Sequence, residues 1–172
     1  MNSTSSQEQV HKAPVFEPAE GSATNYNHIQ CVAAVMSGKG GVGKSFVTGL
    51  VAVALSQNGY RVGILDADIS GPSIPMLFGL QGPLEAGPMG IRPSQSTSGI
   101  KIISMNFLLE SEDQPIIWRG PLIGRAITQL WGDVMWGDLD YLLVDLPPGT
   151  SDASLTTMQS LPVNGIVIVT TP

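Results

Sequence analysis

The most constraining feature of the sequence is the octapeptide Gly-Lys-Gly-Gly-Val-Gly-Lys-Ser at residues 38–45. It fits the phosphate-binding loop pattern of Gly, four residues, Gly, Lys, and Ser or Thr. The apolar run at residues 32–36 predicts a buried strand before the loop, with bounds at residues 31–36, and residues 45–58 predict a helix after the loop. The motif requires this strand–loop–helix context, because the loop amides and the helix N-terminus then face the same phosphate group.

The residue types of the loop predict how it would hold ATP. Glycines let the backbone turn tightly and direct its N–H groups at phosphate oxygens. Lys44 supplies a positive charge for the β- and γ-phosphates, and the Ser45 hydroxyl is placed to coordinate Mg²⁺. The alternative is a glycine-rich turn that happens to hold a lysine, and the flanking strand and helix argue against it. The predicted nucleotide contacts are Gly38, Lys39, Gly40, Gly41, Val42, Gly43, Lys44, Ser45 and Phe46.

The remaining hydrophobic pattern predicts an α/β fold. Further strands are expected at residues 61–65, 141–145 and 165–170, a second helix at residues 121–136, and a possible hairpin between residues 90–93 and 100–105. Alternating strands and helices predict a mostly parallel sheet flanked by helices, with the ligand at the carboxyl ends of the strands. The helix after the loop is apolar around much of its circumference, so it is expected to be well buried. Trp131 and Trp136 are interpreted as packing residues.

Length, composition and charge bound the class of protein. Residues 1–27 are polar and predict a flexible tail, and residues 28–172 predict one folded domain. The net charge of −6 argues against a nucleic-acid-binding surface, and no apolar run approaches the roughly 18 residues of a membrane helix. A single cysteine, Cys31, excludes an intrachain disulfide and suggests a reducing compartment. We therefore expect a cytoplasmic protein without nucleic-acid or membrane partners.

Three aspartates follow predicted strands at the edge where a ligand would lie. Asp145 ends the run Tyr-Leu-Leu-Val, where a phosphate-loop ATPase places a carboxylate near its Mg²⁺. Asp66 and Asp68 follow the strand at residues 61–65. Such a pair could instead cap the next turn, but the loop and Asp145 together favour a functional role.

Two lysines in one loop add a resemblance to the pattern. Lys39 together with Lys44 resembles the deviant loop of the ATPase family that includes ParA, MinD and the nitrogenase iron protein. The resemblance implies a homodimer in which Lys39 reaches the nucleotide of the other subunit. Residues 145–149 resemble the Asp-x-Pro-Pro-Gly switch of that family, which implies that backbone N–H near Gly149 senses the γ-phosphate. It also implies that Asp68 positions the attacking water and that Asp66 holds a water on Mg²⁺.

Longer segments narrow the resemblance. Residues 66–75, 118–121 and 136–152 are similar to the Mrp/ApbC-type iron–sulfur cluster carrier ATPases. The resemblance covers residues 29–172 and implies ATP binding and slow, dimer-dependent hydrolysis of ATP to ADP and phosphate. It further implies a [4Fe–4S] cluster that is handed to apo iron–sulfur proteins. Ser45, Asp66 and Asp145 would form or support the Mg²⁺ site.

The sequence departs from the family pattern at two places. Phe46 stands where the family usually has a Thr that contacts the α-phosphate, so nucleotide affinity is expected to fall; Phe46 is otherwise interpreted as a core residue. The sequence also stops at Pro172, where the family continues to a Cys-x-x-Cys pair that holds the cluster. Cys31 is not placed to replace that pair. We therefore expect a fragment or a shortened relative that does not itself hold a stable cluster.

Two other functions stay open at this point. A ParA/MinD-like positioning ATPase would need a membrane-targeting helix or a DNA-binding face, and no basic amphipathic helix is evident at either end. A nucleotide-binding module without hydrolysis would keep the loop but not turn over. Release of phosphate in a single turnover distinguishes that module from an ATPase.

Overall fold

The computed structural model describes residues 26–69, 73–81, 84–108, 120–149 and 152–171. Within these ranges a six-stranded sheet runs in the order β5-β6-β2-β7-β1-β8, beside a two-stranded sheet of β3 and β4. The strands are β1 (His28–Ser37), β2 (Val62–Asp66), β3 (Glu85–Gly87), β4 (Gly90–Arg92), β5 (Ser94–Gln95), β6 (Lys101–Ser104), β7 (Asp138–Asp145) and β8 (Gly165–Val169). The helices are α1 (Lys44–Gln57), α2 (Ser73–Leu77), α3 (Gly120–Asp133) and α4 (Asp152–Ser160), with a 3₁₀ turn at Met105–Leu108.

The register of the parallel strands brings three polar residues into one row. In β7, Asp145 pairs with Val35 of β1 on one side and with Asp66 of β2 on the other. Asp66 in turn pairs with Ser104 of β6. Because these strands are parallel, their carboxyl ends meet at a single edge of the sheet. The expected convergence of Asp66 and Asp145 at that edge is therefore present.

Apolar clusters hold the sheet between its helices. Ile123, Ile127 and Leu130 lie on one face of α3 and pack in the cluster that contains the buried Trp136. A β-carbon at Gly63 in β2 would lie 2.7 Å from a methyl carbon of Leu139, which leaves no space for a larger residue. Trp131 is half-buried against the same cluster, so both tryptophans are packing residues, as expected.

Two predicted elements have different bounds in the structure. β1 begins at His28 rather than residue 31, and Asn27, assigned to the tail, exchanges hydrogen bonds with Val134 and Gly137. α3 ends at Asp133 rather than residue 136, because the chain then enters β7.

The predicted hairpin is wrong in its pairing. β4 pairs with β3, whereas the antiparallel partner of β6 is the short strand β5. Pro93 separates β4 from β5. Because proline lacks a backbone N–H, it interrupts a hydrogen-bonded ladder. The strand expected at residues 90–93 therefore ends at Arg92, and a separate strand begins at Ser94.

The helix after the loop is not well buried, contrary to expectation. Its buried residues are Lys44, Thr48, Gly49 and Ala52, which are small or polar. The large side chains Phe46 and Leu50 are 56% and 53% exposed. Phe46 is therefore not a core residue. Gly49 lies against Leu77 and Phe78 at the end of α2, and Val51, Val53 and Leu55 are only partly buried against the core.

The edge strand β8 is also more exposed than its apolar sequence predicts. Ile166 and Ile168 are 49% and 69% exposed, whereas Leu142 in β7 is fully buried. No helix among the described residues is both long and apolar enough to cross a membrane.

Candidate nucleotide site

The loop at residues 38–45 has the backbone geometry of an anion site. Gly41 and Gly43 have φ angles of 77° and 86°, a region that side chains other than glycine rarely adopt. Gly43 is the N-cap of α1, and the first backbone bond of the helix runs from Val47 N–H to Gly43 O at 2.9 Å. The N–H groups of residues 44–46 thus precede the helical ladder and are directed at the loop. The first turn of α1 carries no acidic residue, so its positive end is not neutralised within the helix.

A cavity of about 630 Å³ opens above this loop. Its size falls within the range of small-ligand pockets. The walls combine loop backbone, charged groups and apolar side chains from α1 and α2. They are Ser37, Gly40, Gly41, Gly43, Lys44, Ser45, Phe46, Asp68, Ser73, Met76, Leu77 and Pro148.

Asp145 lies fully buried beneath the loop and receives three side-chain donors. Lys44 Nζ donates to Asp145 Oδ2 at 2.8 Å, and Ser45 Oγ donates to the same oxygen at 2.5 Å. Thr48 Oγ1 donates to Asp145 Oδ1 at 2.7 Å. Both carboxylate oxygens are thus occupied by groups of α1. The carboxylate fixes the orientation of the two loop side chains that the sequence assigns to phosphate and Mg²⁺.

Asp66 and Asp68 have different positions although they are two residues apart. Asp66 is fully buried, and it accepts hydrogen bonds from Asp68 N–H at 3.1 Å and Ser104 Oγ at 3.0 Å. Asp68 lines the cavity, with Oδ2 3.7 Å from Lys44 Nζ. The side chain that can meet a ligand in the cavity is therefore that of Asp68, with Asp66 supporting its backbone.

The buried Asp66 is held in an environment that favours its neutral form. Burial and, secondarily, the nearby charge of Asp145 raise the pKa of Asp66 to about 7. Hydrogen bonds from Asp68 N–H and Ser104 oppose that shift without cancelling it. The carboxyl consequently exchanges a proton near neutral pH.

The donor set fits a Mg²⁺ ion that keeps phosphate and water ligands. Among the described residues no group of three or more His, Cys, Asp or Glu converges to form a protein cage. Ser45 reaches the cavity, while Asp145 stays behind it. Magnesium in phosphate-transfer sites typically takes few protein ligands and several waters. Such an ion would contact Ser45, with Asp145 acting through that hydroxyl.

Comparison with known proteins agrees with this geometry. The ParA family model described as NUBPL iron-transfer P-loop NTPase matches residues 28–172. The chain belongs to this family. The resemblance inferred from its motifs is confirmed, as is the fold class of a P-loop NTPase with a mostly parallel sheet.

Curated relatives of the chain are identical to it at about half of the aligned positions. The "Iron-sulfur cluster carrier protein" of Clostridium perfringens is 50% identical over 157 residues, which cover 87% of this chain and 55% of that protein. The protein of the same name from Methanocaldococcus jannaschii is 52% identical over 151 residues, covering 86% and 52%. The "Cytosolic Fe-S cluster assembly factor Nubp2 homolog" of Drosophila ananassae is 46% identical over 151 residues, covering 84% and 58%. The chain spans about half the length of these relatives.

Solved structures of nucleotide-binding proteins have the same fold as this chain. A nucleotide-binding protein in complex with ADP from Archaeoglobus fulgidus matches with a TM-score of 0.74 and 52% identity, covering 84% of this chain and 55% of that chain. MinD with Mg-ADP from Pyrococcus horikoshii matches with a TM-score of 0.54 and 21% identity, covering 83% and 58%. At that lower identity the likeness to MinD shows the fold alone.

The structure places the remaining predicted residues of this NTPase around the loop. Lys39 is exposed, and its carbonyl accepts a hydrogen bond from Ser37 Oγ at 3.0 Å. Gly149 N–H donates to Ser37 O at 2.9 Å, so a phosphate at this amide would have to displace that bond. Pro148 lines the cavity beside Gly40. The switch is thus adjacent to the loop, although its amide has another partner here.

Several motif residues lie outside the described part of the chain. Residues 70–72 of the segment after Asp68, residues 118–119 of the Trp-Arg-Gly-Pro segment and residues 150–151 after the switch belong to this group. Cys31 lies in β1 opposite Tyr141 and is half-buried. The six residues from Cys31 to the end of β1 span about 20 Å, so the thiol is remote from the cavity.

The sequence reasoning missed four polar residues that complete the site. Thr48 bonds Asp145, Ser104 bonds Asp66, Asn106 Nδ2 donates to the carbonyl of Asp68 at 3.1 Å, and Ser37 bonds the loop. Thr48 lies one helical turn after Lys44, and Ser104 ends a strand. The helical spacing of Thr48 from Lys44, and the pairing of Ser104 with Asp66 in a parallel sheet, would have predicted these two contacts.

Proposed function

We propose that this chain is the nucleotide-binding and hydrolysing part of an iron–sulfur cluster carrier. The observation that carries the proposal is the buried Asp145, which holds Lys44 and Ser45 together beneath an open phosphate loop. Relatives that bear the name iron–sulfur cluster carrier protein support the cargo. The [4Fe–4S] cluster is here a cargo delivered to apo-proteins, and Cys31 alone does not supply its four thiolate ligands.

ATP binding follows from the chemistry of the loop. The N–H groups of residues 38–46, which include the N-terminus of α1, surround the phosphates. The ammonium group of Lys44 moves from Asp145 to contact the β- and γ-phosphates. Ser45 would contact Mg²⁺, with Asp145 fixing its hydroxyl. The buried Asp66 would act by holding the backbone of Asp68 at the cavity wall, rather than through a metal-bound water. Mg²⁺, when bound, neutralises the charge shared by the β- and γ-phosphate oxygens.

Hydrolysis in this proposal uses Asp68 and Lys39. Asp68 at the cavity wall orients a water whose oxygen forms a bond to the γ-phosphorus. The bond from that phosphorus to the β–γ bridging oxygen breaks, ADP leaves with the electron pair, and the water proton passes to phosphate. Lys39 from a second copy, together with amides near Gly149, stabilises charge on the departing phosphoryl group. The homodimer and a cytoplasmic location are parts of the same proposal.

Substitution of the two loop lysines tests binding and hydrolysis separately. Lys44→Ala should abolish MgATP binding in isothermal titration, because it removes the main positive charge on the terminal phosphates. Lys39→Ala is the matched control in the same loop and should keep ATP affinity while hydrolysis falls by orders of magnitude. Unchanged affinity in Lys44→Ala, with its fold verified by circular dichroism, would refute the site.

The dimeric step has its own test. Lys39→Ala protein mixed with Asp68→Ala protein should regain part of the hydrolysis that each lacks, because a mixed dimer contains one site with both groups intact. Hydrolysis by Lys39→Ala at the unmodified rate would refute a lysine supplied across the dimer. Absence of single-turnover phosphate release from the unmodified chain would instead support a binding module without turnover.

A further inference from the structure

We propose that the side chain of Phe46, with Met76 and Leu77, forms an apolar wall that contacts the nucleoside part of the bound nucleotide. The inference rests on the proposed function, since it assumes a nucleotide whose phosphates lie in the loop. It adds a contact that the phosphate-loop motif does not contain, because the motif ends at Ser45.

Phe46 belongs to the phosphate site through its backbone and to the cavity through its ring. It is the third residue of α1, so its N–H precedes the helical ladder and is directed at the loop. Its side chain is more than half exposed and lines the same cavity as Lys44 and Ser45. A phosphate bound at this N–H therefore brings the group attached to it close to the phenyl ring.

Two further apolar side chains extend the wall from α2. Met76 is 75% exposed and Leu77 is about half exposed, and both line the cavity with Phe46. Covering such exposed apolar side chains with a ligand is favourable, because it removes apolar surface from water. Leu50, one helical turn after Phe46, is equally exposed but does not line the cavity. The chain thus offers a cavity-facing group and a matched exposed residue outside the cavity.

The chemistry of a nucleotide fits this division of the cavity. Lys44, Ser45 and Asp68 provide charge and hydroxyl groups for phosphates, metal and water. The base and ribose carry no charge and have apolar faces, for which aromatic rings and thioethers are favourable neighbours. Stacking of a base on an aromatic side chain tolerates every base, because each base has a π-face. The wall should therefore strengthen binding without selecting adenine over guanine.

Inorganic tripolyphosphate separates this contact from the phosphate loop. Titrations compare MgATP, MgGTP and magnesium tripolyphosphate on the unmodified chain and on Phe46→Ala, Phe46→Leu and Leu50→Ala. Phe46→Ala should weaken both nucleotides about 5- to 100-fold and leave tripolyphosphate unchanged. Phe46→Leu, which keeps bulk but loses the ring, should lie between. Leu50→Ala should change none of the three affinities.

Other outcomes overturn the proposal in distinguishable ways. Equal weakening of nucleotide and tripolyphosphate by Phe46→Ala would show that the residue acts on the loop. Tighter binding of both would show that the ring obstructs the phosphates, and unchanged binding of both would show that it contacts neither. If the unmodified chain binds neither tripolyphosphate nor ATP, the proposed function itself fails. All three substitutions remove exposed side chains, and thermal unfolding verifies that each variant is folded.

Discussion

The two ends of β7 carry aspartates in opposite environments. At the carboxyl end, Asp145 is fully buried and bonded to Lys44, Ser45 and Thr48. At the amino end, Asp138 and Asp140 form ion pairs with the exposed guanidinium of Arg61, each at 3.1 Å. The distances are similar, but only the first pair is removed from water. Exposure to water, rather than the distance between the charged atoms, therefore decides how much stability is lost when an ion pair is removed.

The physical reason is the solvation of the charges. Water screens the pairs around Arg61 and solvates either partner when the other is lost. Asp145 and Lys44 are buried, so removing one partner leaves a charge that is poorly solvated and has lost its closest counter-charge. The Arg61 pairs still affect titration: the hydrogen bonds that Arg61 donates to the carboxylate of Asp140 lower the pKa of Asp140 and raise the pKa of Arg61.

The largest expected effect is that of Asp145→Ala. It removes the partner of Lys44, whose ammonium then has only Asp68 at 3.7 Å within ion-pair distance among the described residues. We expect the free energy of unfolding to fall by about 3–5 kcal/mol. Urea denaturation without nucleotide at neutral pH measures this change.

A double variant distinguishes charge from packing in that result. Lys44→Met combined with Asp145→Ala removes both charges, so it should be more stable than Asp145→Ala alone. If the single and the double variant lose the same free energy, the hydroxyls of Ser45 and Thr48 rather than the ion pair account for the loss. A loss no larger than that of a surface substitution would contradict the comparison of the two ends.

The second prediction concerns Asp66, which also lies at the buried edge. Its pKa is about 7 in the folded chain, against 3.8 as the ordinary value, so the folded state binds this proton more tightly than the unfolded state. Its contribution to stability is therefore complete below about pH 4 and is lost as the pH rises through 7. The shift corresponds to up to about 4 kcal/mol.

Asp66→Asn isolates this contribution, because the amide keeps the shape but does not titrate. The measurements are made with a metal chelator and without nucleotide. The free energy of unfolding of the unmodified chain should decline relative to that of Asp66→Asn as the pH rises from about 4 through 7. At higher pH the two plots of stability against pH should run parallel. Parallel curves over the whole range, measured by urea unfolding, would show that Asp66 is not held in its neutral form.

The loop and its edge of the sheet could be predicted because local chemistry determines them. The glycine spacing at residues 38–45 predicts a tight phosphate-facing turn, and Asp145 follows a short apolar run whose length favours a buried strand. Parallel strands place such ends together whatever lies between them in sequence. The placement of Asp66 beside Asp145 thus followed from pattern and topology together.

Exposure could not be predicted in the same way, because it depends on what packs against an element. The apolar strands β7 and β8 look alike in sequence, yet Leu142 is buried and Ile168 is 69% exposed. Phe46 was assigned to the core because it is large and apolar, but the small residues Gly49 and Ala52 face inward instead. The hydrogen bond from Ser104 to Asp66 is likewise a tertiary contact, and it follows only once the parallel pairing of β2 with β6 is known.

The smallest expected effect is that of Arg61→Ala at the amino end of β7. Two side-chain ion pairs are lost, but both carboxylates keep some exposure to water and Asp140 keeps the bond from the backbone N–H of residue 61. The urea midpoint should therefore move only slightly at low salt and not measurably at high salt. Arg92→Ala, which breaks the exposed Arg92–Glu85 pair at 3.7 Å, is the matched control. The effect of Arg61→Ala should be slightly larger than that of Arg92→Ala, because Arg61 also donates to Asp140 through Nε at 3.3 Å.

The contribution of Arg61 also depends on pH. Because Arg61 lowers the pKa of Asp140, this small contribution is present above about pH 4 and disappears as the pH falls through the folded pKa of Asp140. A midpoint shift as large as that of Asp145→Ala, or one that persists at high salt, would show that the two ends of β7 do not differ as their exposure requires.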